Sequence, residues 1–362
     1  MAPTSIRLGW LGCGRIADLQ CLGYLDHPRA EIVAVCDRDE ARAAARARAW
    51  GAHRTYTDPE KLFADPDVDA VEILTPHHLH EAHAVAALQA GKHVSLQKPP
   101  TRTLEELDRV AAAADRSGRV LRVFENFGHY PPHRKAKALV EAGEIGTPLS
   151  VRVKTAAGRF ADGWEVGAES QAWRMDPTLC GGGLTTFDHG YHCFQMARWF
   201  VPAEVERVHA FIHWTRLGER AWIDGPALIT WKYAGDPPRF GSWEVIASVG
   251  MRVRSDYYVS DDRLEIHGSE GIVWVNRCTG KLLEEPSVVL YREGETRAFH
   301  DLPTDWAESF RRGGRDFVDA LLEGRAPEQS AADARRTLAF ALAAARSDAE
   351  GREVAVSEML AG

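Results

Sequence analysis

The stretch Ser5–Ala17, S-I-R-L-G-W-L-G-C-G-R-I-A, constrains this chain more than any other. A short apolar run (Ile6, Leu8, Trp10, Leu11) leads straight into Gly12-Cys13-Gly14-Arg15-Ile16-Ala17, which has the G-x-G-x-x-[G/A] spacing. That order describes a buried strand, a turn too tight for side chains, and a helix that starts at once. Gly12 permits the turn, Gly14 admits the backbone close to a pyrophosphate, and the small Ala17 lets the helix pack on the strand. The phosphates then rest by Arg15 and Ile16 at the helix N-terminus, where free N–H groups and the dipole favour negative charge. Alone, the motif says little, because glycine-rich turns are common. Context strengthens it: a second apolar strand, Ile32–Cys36, ends in Asp37, twenty residues past Ala17. A carboxylate at about that separation hydrogen-bonds the ribose hydroxyls of a dinucleotide. Arg38, next in line, is placed to stack on adenine or to reach a 2′-phosphate.

At 362 residues the chain suits two domains. A net charge of −8 with no compensating basic face excludes a nucleic-acid binder. No apolar run approaches the roughly 18 residues of a membrane span, and the first strand begins too early to leave room for a signal segment. The six cysteines include no C-x-x-C pair, so they read as reduced thiols in a cytoplasmic protein.

Beyond Asp37 the chain alternates. A helix over Glu40–Trp50 precedes a strand at Ala70–Leu74, which ends in Thr75-Pro76-His77-His78-Leu79-His80. A helix over Glu81–Ala90 leads to the strand His93–Leu96, ending in Gln97-Lys98-Pro99-Pro100. A helix opened by the capping box Thr103–Glu106 precedes the strand Val120–Phe124 and then Glu125-Asn126. Such alternation predicts a doubly wound parallel sheet, whose ligands bind beyond the carboxyl ends of the strands. Each polar cluster just named falls at such an end. From residue 128 the texture changes. After a helix at His133–Ala142 come β-rich segments at Leu149–Thr155, Val205–Thr215, Ala227–Tyr233, Ser242–Val249, Arg263–His267 and Ile272–Val275, several with the alternation of a one-sided antiparallel sheet. An Ala/Arg-rich helix at Ala331–Ala349 closes the chain.

Two constellations suggest chemistry. Lys98 ends a strand beside the expected nicotinamide position, and the prolines after it stiffen its turn. An ammonium there hydrogen-bonds a substrate hydroxyl and stabilises the alkoxide that forms as hydride leaves. Further on, Gly181–Gly183 precedes a helix carrying Asp188 and His192 four residues apart, which on an α-helix puts both on one face. A carboxylate beside an imidazole is a common acid–base arrangement, although a surface ion pair has the same spacing.

Together these motifs make the chain resemble the glucose–fructose oxidoreductase/inositol dehydrogenase (Gfo/Idh/MocA) family over nearly its whole length. The match runs through G-x-G-x-x-A, Asp37, Thr75-Pro76-x-x-x-His80, Ala90-Gly91-Lys92-His93-Val94, Lys98-Pro99, Glu125-Asn126-Phe127 and Glu144-Ile145-Gly146, then the triple glycine with D-x-G-x-H, and Leu264–Gly268. The resemblance implies an N-terminal Rossmann domain (1–127) and a C-terminal α/β domain (128–362) with a large open, mostly antiparallel sheet, often used to form dimers or tetramers. It implies NAD, with NADP possible, bound through Gly12, Gly14, Arg15, Ile16, Asp37, Arg38, Thr75, Pro76, His77, His80, Gln97, Lys98 and Asn126. Asp37 favours NAD because it repels a 2′-phosphate.

The implied reaction is reversible oxidation of a secondary hydroxyl on a sugar, glycoside or cyclitol. Lys98, Asp188 and His192 would be catalytic, and Trp173, Arg174 and His189 would join them in binding substrate. Some relatives instead cleave glycosides through transient oxidation with captive NAD, and a dinucleotide sensor is a third reading. Gln97 departs from the family's usual Glu and removes a charge beside Lys98. No metal site is expected: His78, His80 and His83 are close in sequence but lack a completing ligand. The loops at 160–174 and 252–262 are expected to shape the substrate pocket.

Overall fold

A computed structural model describes residues 4–159, 163–164, 166, 171–217 and 221–361. The chain forms two units. The first comprises Met1–Asn126, Asp176–Gly181 and Ser309–Leu338; the second comprises Phe127–Met175, Gly182–Glu308 and Ala339–Gly362. The chain thus passes between the units more than once.

In the first unit, strands β1 (Ile6–Leu11), β2 (Ala30–Cys36), β3 (Arg54–Tyr56), β4 (Ala70–Ile73), β5 (His93–Gln97) and β6 (Leu121–Phe124) make one parallel sheet, ordered β3-β2-β1-β4-β5-β6. Strands β1, β2, β4 and β6 are almost wholly buried, as expected of a sheet covered on both faces. The order reverses between β1 and β4, and a crevice at such a switch point is where doubly wound sheets bind ligands. On one face Leu11, Val33, Ile73 and Leu96 pack with Leu88 and Val110 of the covering helices. On the other, Leu8, Trp10 and Tyr24 pack with Phe317, Val318, Leu321 and Leu322 of a helix at Ala307–Glu323. That last helix has no counterpart in the sequence reading, because its adjacent Gly313 and Gly314 spoil the helical pattern.

Two other elements differ from expectation. The helix after β4 runs from His77 to Gln89, so His77–His80 form its first turn rather than a strand-end loop. The helix after the glycine turn is short: Ala17–Gln20, continued after Cys21 by Leu22–Leu25. It offers bound phosphates the dipole of little more than two turns.

A charged network interrupts the apolar sheet. Glu72 on β4 and Arg122 on β6 are fully buried, 3.8 Å apart. Glu72 accepts from Gln20 Nε2 (3.0 Å) and from the Tyr24 hydroxyl. Arg122 donates to Ser95 Oγ (2.8 Å), to the Tyr24 hydroxyl (2.9 Å) and to the Gly313 carbonyl. Burial pushes the Glu72 carboxyl up to about 7, against the pull of Arg122 and three hydrogen-bond donors.

The second unit is built on a nine-stranded sheet of β7 (Pro148–Arg159), β8 (Val205–Leu217), β9 (Ala221–Tyr233), β10 (Arg239–Arg252), β11 (Ser260–Gly268), β12 (Gly271–Val275), β13 (Val288–Arg292), β14 (Glu295–Phe299) and β15 (Val354–Ala355), ordered β14-β13-β12-β11-β7-β10-β9-β8-β15. Only β7 and β10 run parallel; every other pair is antiparallel. One face buries Ala210, Ile229, Trp231, Trp243 and Val245. The other exposes Phe211, Leu228, Phe240 and Ile246. Among the described residues, no helix is long and apolar enough to cross a membrane.

His133, in the helix Pro131–Glu141 of the second unit, sets a pH limit on stability. Its Nδ1 lies 2.9 Å from the Phe127 carbonyl, its Nε2 meets no hydrogen-bond partner among the described residues, and the ring is fully buried. Burial therefore pushes the imidazole down to about 4. In the first unit, burial likewise takes His93 down to about 4, and its Nδ1 accepts the Val120 N–H at 3.0 Å. An unfolded histidine takes up its proton near 6.5, so the unfolded chain binds more protons between pH 6.5 and 4, and stability is lost as pH falls through that window. His133 alone accounts for about 3 kcal/mol at its lower end. Urea unfolding of His133→Phe is expected to show a shallower loss below pH 6.5 than the parent. Parallel profiles for the two proteins would exclude His133 as a contributor.

Candidate active site

The dinucleotide turn of the first unit takes the conformation its glycines imply. Gly12 has φ 96°, and a Cβ there would meet the Leu74 carbonyl oxygen at 2.8 Å. Around Gly14 the reverse holds: a Cβ would meet no atom of the described residues within 4 Å. The fold therefore does not require glycine at 14, whereas close approach of a pyrophosphate does. Asp37, nearly buried at the end of β2, buttresses the turn, its Oδ2 accepting the Cys13 N–H (2.8 Å) and its Oδ1 the Asp39 N–H (2.9 Å). A carboxylate has about four acceptor positions, which leaves capacity for ribose hydroxyls. Arg15 and Arg38 are exposed, Ile16 is half-buried at the start of the helix, and Arg42 Nη1 lies 3.8 Å from Asp37. These residues fit a dinucleotide.

His80 joins two strand ends. Its Nε2 lies 2.7 Å from the Thr75 carbonyl beyond β4, and its Nδ1 lies 3.0 Å and 3.1 Å from the carbonyls of Pro99 and Pro100 beyond β5. The half-buried Lys98 is carried on the turn so pinned, through a cis Lys98-Pro99 peptide. Gln97 bends back to accept the Lys98 N–H with its Oε1 (2.9 Å), so the residue that departs from the family pattern serves the turn. Thr75 Oγ1 lies 3.1 Å from His83 Nδ1, Pro76 caps the helix that follows, and His77 Nδ1 lies 2.7 Å from the Cys180 carbonyl. Asn126 donates to Ser309 Oγ at 2.9 Å, beyond β6. Gly12, Asp37, Thr75, Lys98 and Asn126 thus all follow the carboxyl ends of strands in one parallel sheet.

The second unit holds the remaining predicted residues. Leu184–His189 is a π-helical turn that passes into the α-helix Gly190–Phe200, so Asp188 and His192 do not share the single α-helix expected of them. Asp224, buried on β9, accepts the N–H groups of Thr185 (2.7 Å) and Thr186 (2.5 Å) and the Thr186 hydroxyl (2.6 Å). A Cβ at Gly183 would collide with that carboxylate, which explains at least one of the three glycines. Arg174 donates from Nε to Asp188 Oδ2 (3.0 Å) and lies over the Trp173 ring. The His192 ring stacks on Phe127, nearly parallel at 4.1 Å, and meets the His189 ring edge-on at 5.7 Å. Asp188 and His192 are almost buried; His189 is partly exposed. Of the loop at 160–174, residues 160–162, 165 and 167–170 lie outside the described residues.

Sequence reasoning passed over Asp224 and Asp262, which lie far along the chain from the residues they bind. The Asp261-Asp262 pair at the start of a β-rich segment was the one available signal. Among the described residues, His189, Cys193 and Asp262 form a group able to offer metal ligands within 4.8 Å of one another. Asp262 Oδ1 already receives Thr155 Oγ1 (2.5 Å) and His189 Nε2 (2.9 Å), with Cys193 Sγ 4.0 Å away, so the group reads as a hydrogen-bonded cluster.

This fold and these two sets of residues define an NAD-binding Rossmann oxidoreductase with a separate sheet-based unit. Residues 6–125 match the oxidoreductase-family, NAD-binding Rossmann fold model, and residues 133–274 match the GFO/IDH/MocA C-terminal domain. The chain belongs to the Gfo/Idh/MocA family. It is 30% identical to inositol 2-dehydrogenase 1 of Saccharopolyspora erythraea, over 97% of this chain and 96% of that protein. To 1,5-anhydro-D-fructose reductase of Ensifer adhaerens it is 28% identical, over 96% and 97% of the two chains. An Agrobacterium radiobacter oxidoreductase, solved with NAD+, L-tartaric acid and magnesium, superposes with a TM-score of 0.84 over 98% of this chain and 100% of that one, at 23% identity.

Proposed function

We propose that this protein is an NAD-dependent dehydrogenase that reversibly oxidises a secondary hydroxyl of a sugar, glycoside or cyclitol. The observation that carries the reading is Lys98, pinned beyond β5 in the same sheet edge as the dinucleotide turn and Asp37. Relatives named for inositol and anhydrofructose support the substrate class. Bound nicotinamide supplies the hydride acceptor. Lys98 donates a hydrogen bond to the reacting oxygen and stabilises the alkoxide as its C–H bond breaks. His192 accepts the hydroxyl proton, and Asp188, held by Arg174, orients the substrate and shares in proton transfer. Asp37 favours NAD over NADP by repelling a 2′-phosphate.

The exposed apolar face around Phe211, Leu228, Phe240 and Ile246 supports a homodimer or homotetramer formed through the large sheet. Six buried, unbridged cysteines suit the cytoplasm.

Purified protein with NAD, and separately NADP, is to be assayed against inositols, aldoses and glycosides at the reduced-nicotinamide absorbance. Turnover with a polyol, faster with NAD, is the expected result. Glycoside cleavage without net reduction would replace this reading with that of a hydrolase holding captive NAD; silence with dinucleotide bound would favour a sensor.

A further inference from the structure

Four buried or half-buried groups of the second unit form one hydrogen-bonded chain with a forced direction. Trp243 on β10 donates its indole Nε1–H to Thr155 Oγ1 on β7 at 2.8 Å. An indole nitrogen only donates, so the threonine hydroxyl accepts there and spends its single proton elsewhere. That proton goes to Asp262 Oδ1 on β11, at 2.5 Å. His189 Nε2 lies 2.9 Å from the same oxygen. Asp262 is fully buried. Burial alone would raise its carboxyl, yet the contacts with His189 and Thr155 hold it below the usual carboxylate range. An ionised carboxylate only accepts, so His189 carries a proton on Nε2, and the lone pair of the ring in its neutral form then lies on Nδ1. The His189 side chain is 23% exposed although its Nε2 is tied to a wholly buried partner.

We infer that Asp262 is a positioning residue that locks His189 in the Nε2–H tautomer, so that Nδ1 accepts a hydrogen bond from a hydroxyl of the substrate. This rests on the dehydrogenase reading and narrows its substrate: the group facing His189 is a neutral hydroxyl, since a carboxylate at that position has no proton to give. Thr155 and Trp243 extend the same device into the core of the sheet.

Long-range proton–nitrogen spectra of protein labelled with 15N-histidine read the tautomer directly, with the His189 signals identified by their loss in His189→Asn. The parent is expected to show His189 protonated at Nε2, and Asp262→Asn to shift it toward the Nδ1–H form. An Nδ1–H parent, or an unchanged tautomer in Asp262→Asn, overturns the inference. So does stoichiometric bound zinc in the parent that Asp262→Asn loses.

Kinetics with a polyol that turns over supply the second arm. Asp262→Asn should lower kcat/KM for the polyol by about ten- to a hundredfold, the range typical of lost orienting partners, with KM for NAD unchanged. His189→Asn, whose amide oxygen takes the place of Nδ1, should retain more activity than His189→Gln, which reaches only toward Asp262. The opposite order would show that His189 serves Asp262 structurally. Absence of any turnover counts against the dehydrogenase reading and leaves the spectroscopic result standing.

Discussion

Replacing Lys98 with methionine should lower kcat/KM for a polyol that turns over by about a thousandfold and leave NAD affinity intact. Methionine keeps the reach and apolar stem of lysine and removes only the ammonium. A single donor aimed at developing negative charge is worth about 10²–10³ in rate. In the proposed site Gly12, Gly14 and Asp37 would hold the dinucleotide, and the pin from His80 engages the carbonyls of Pro99 and Pro100 rather than the Lys98 side chain. Steady-state kinetics beside calorimetric NAD titration separates the two effects. Wild-type turnover in Lys98→Met would remove this residue from the mechanism; a parallel loss of NAD binding would mean that the lysine serves the cofactor.

The second large effect concerns stability. Arg122→Met should destabilise the protein by about 3–5 kcal/mol, because it leaves the Glu72 carboxyl buried without its partner. Ser95 Oγ and the Gly313 carbonyl lose donors in the same step. Since about 1 kcal/mol moves the melting point of a unit this size by roughly 2–4 °C, a fall of roughly 6–20 °C is expected by calorimetry. Adding Glu72→Gln removes the stranded acid and should restore part of the loss. A melting curve of Arg122→Met that overlays the parent's would show that the network contributes nothing net.

How much of this was legible in the sequence depended on the range of the interaction. Local signals served well: the glycine turn, Asp37 at its fixed separation and Thr103 as a helix cap all appear in the structure as expected. The alternation of strands and helices was enough to place Thr75, Lys98 and Asn126 at strand ends. The capping box closed differently, because Glu106 accepts the N–H of Arg102 at 2.9 Å. Strand β3 was missed because Arg54-Thr55-Tyr56 is too short and too polar to show a period. The π turn was missed because its cause is remote: Asp224 draws the N–H groups of Thr185 and Thr186 from another strand. Glu72 looked like any residue of an apolar strand until Arg122, fifty residues later, came to lie near it in the same sheet. Asp262 is a further case, since its contact with Thr155 spans 107 residues.

The discontinuous make-up of the first unit bears on how the protein is made. Its apolar layer joins Leu8, Trp10 and Tyr24 to Phe317, Val318, Leu321 and Leu322. The Arg122 guanidinium is bonded to the Gly313 carbonyl in that same late helix. On the ribosome, the six strands of the nucleotide-binding sheet emerge early and must wait, with one face uncovered, until the chain beyond residue 308 has been added. Stretch 182–308, which supplies seven of the nine strands in the other sheet, β8 to β14, leaves the tunnel during that interval. Domains usually complete themselves in the order in which they are synthesised. Here the first part to be made is among the last to be finished, and the growing chain carries an unfinished apolar surface for most of its synthesis.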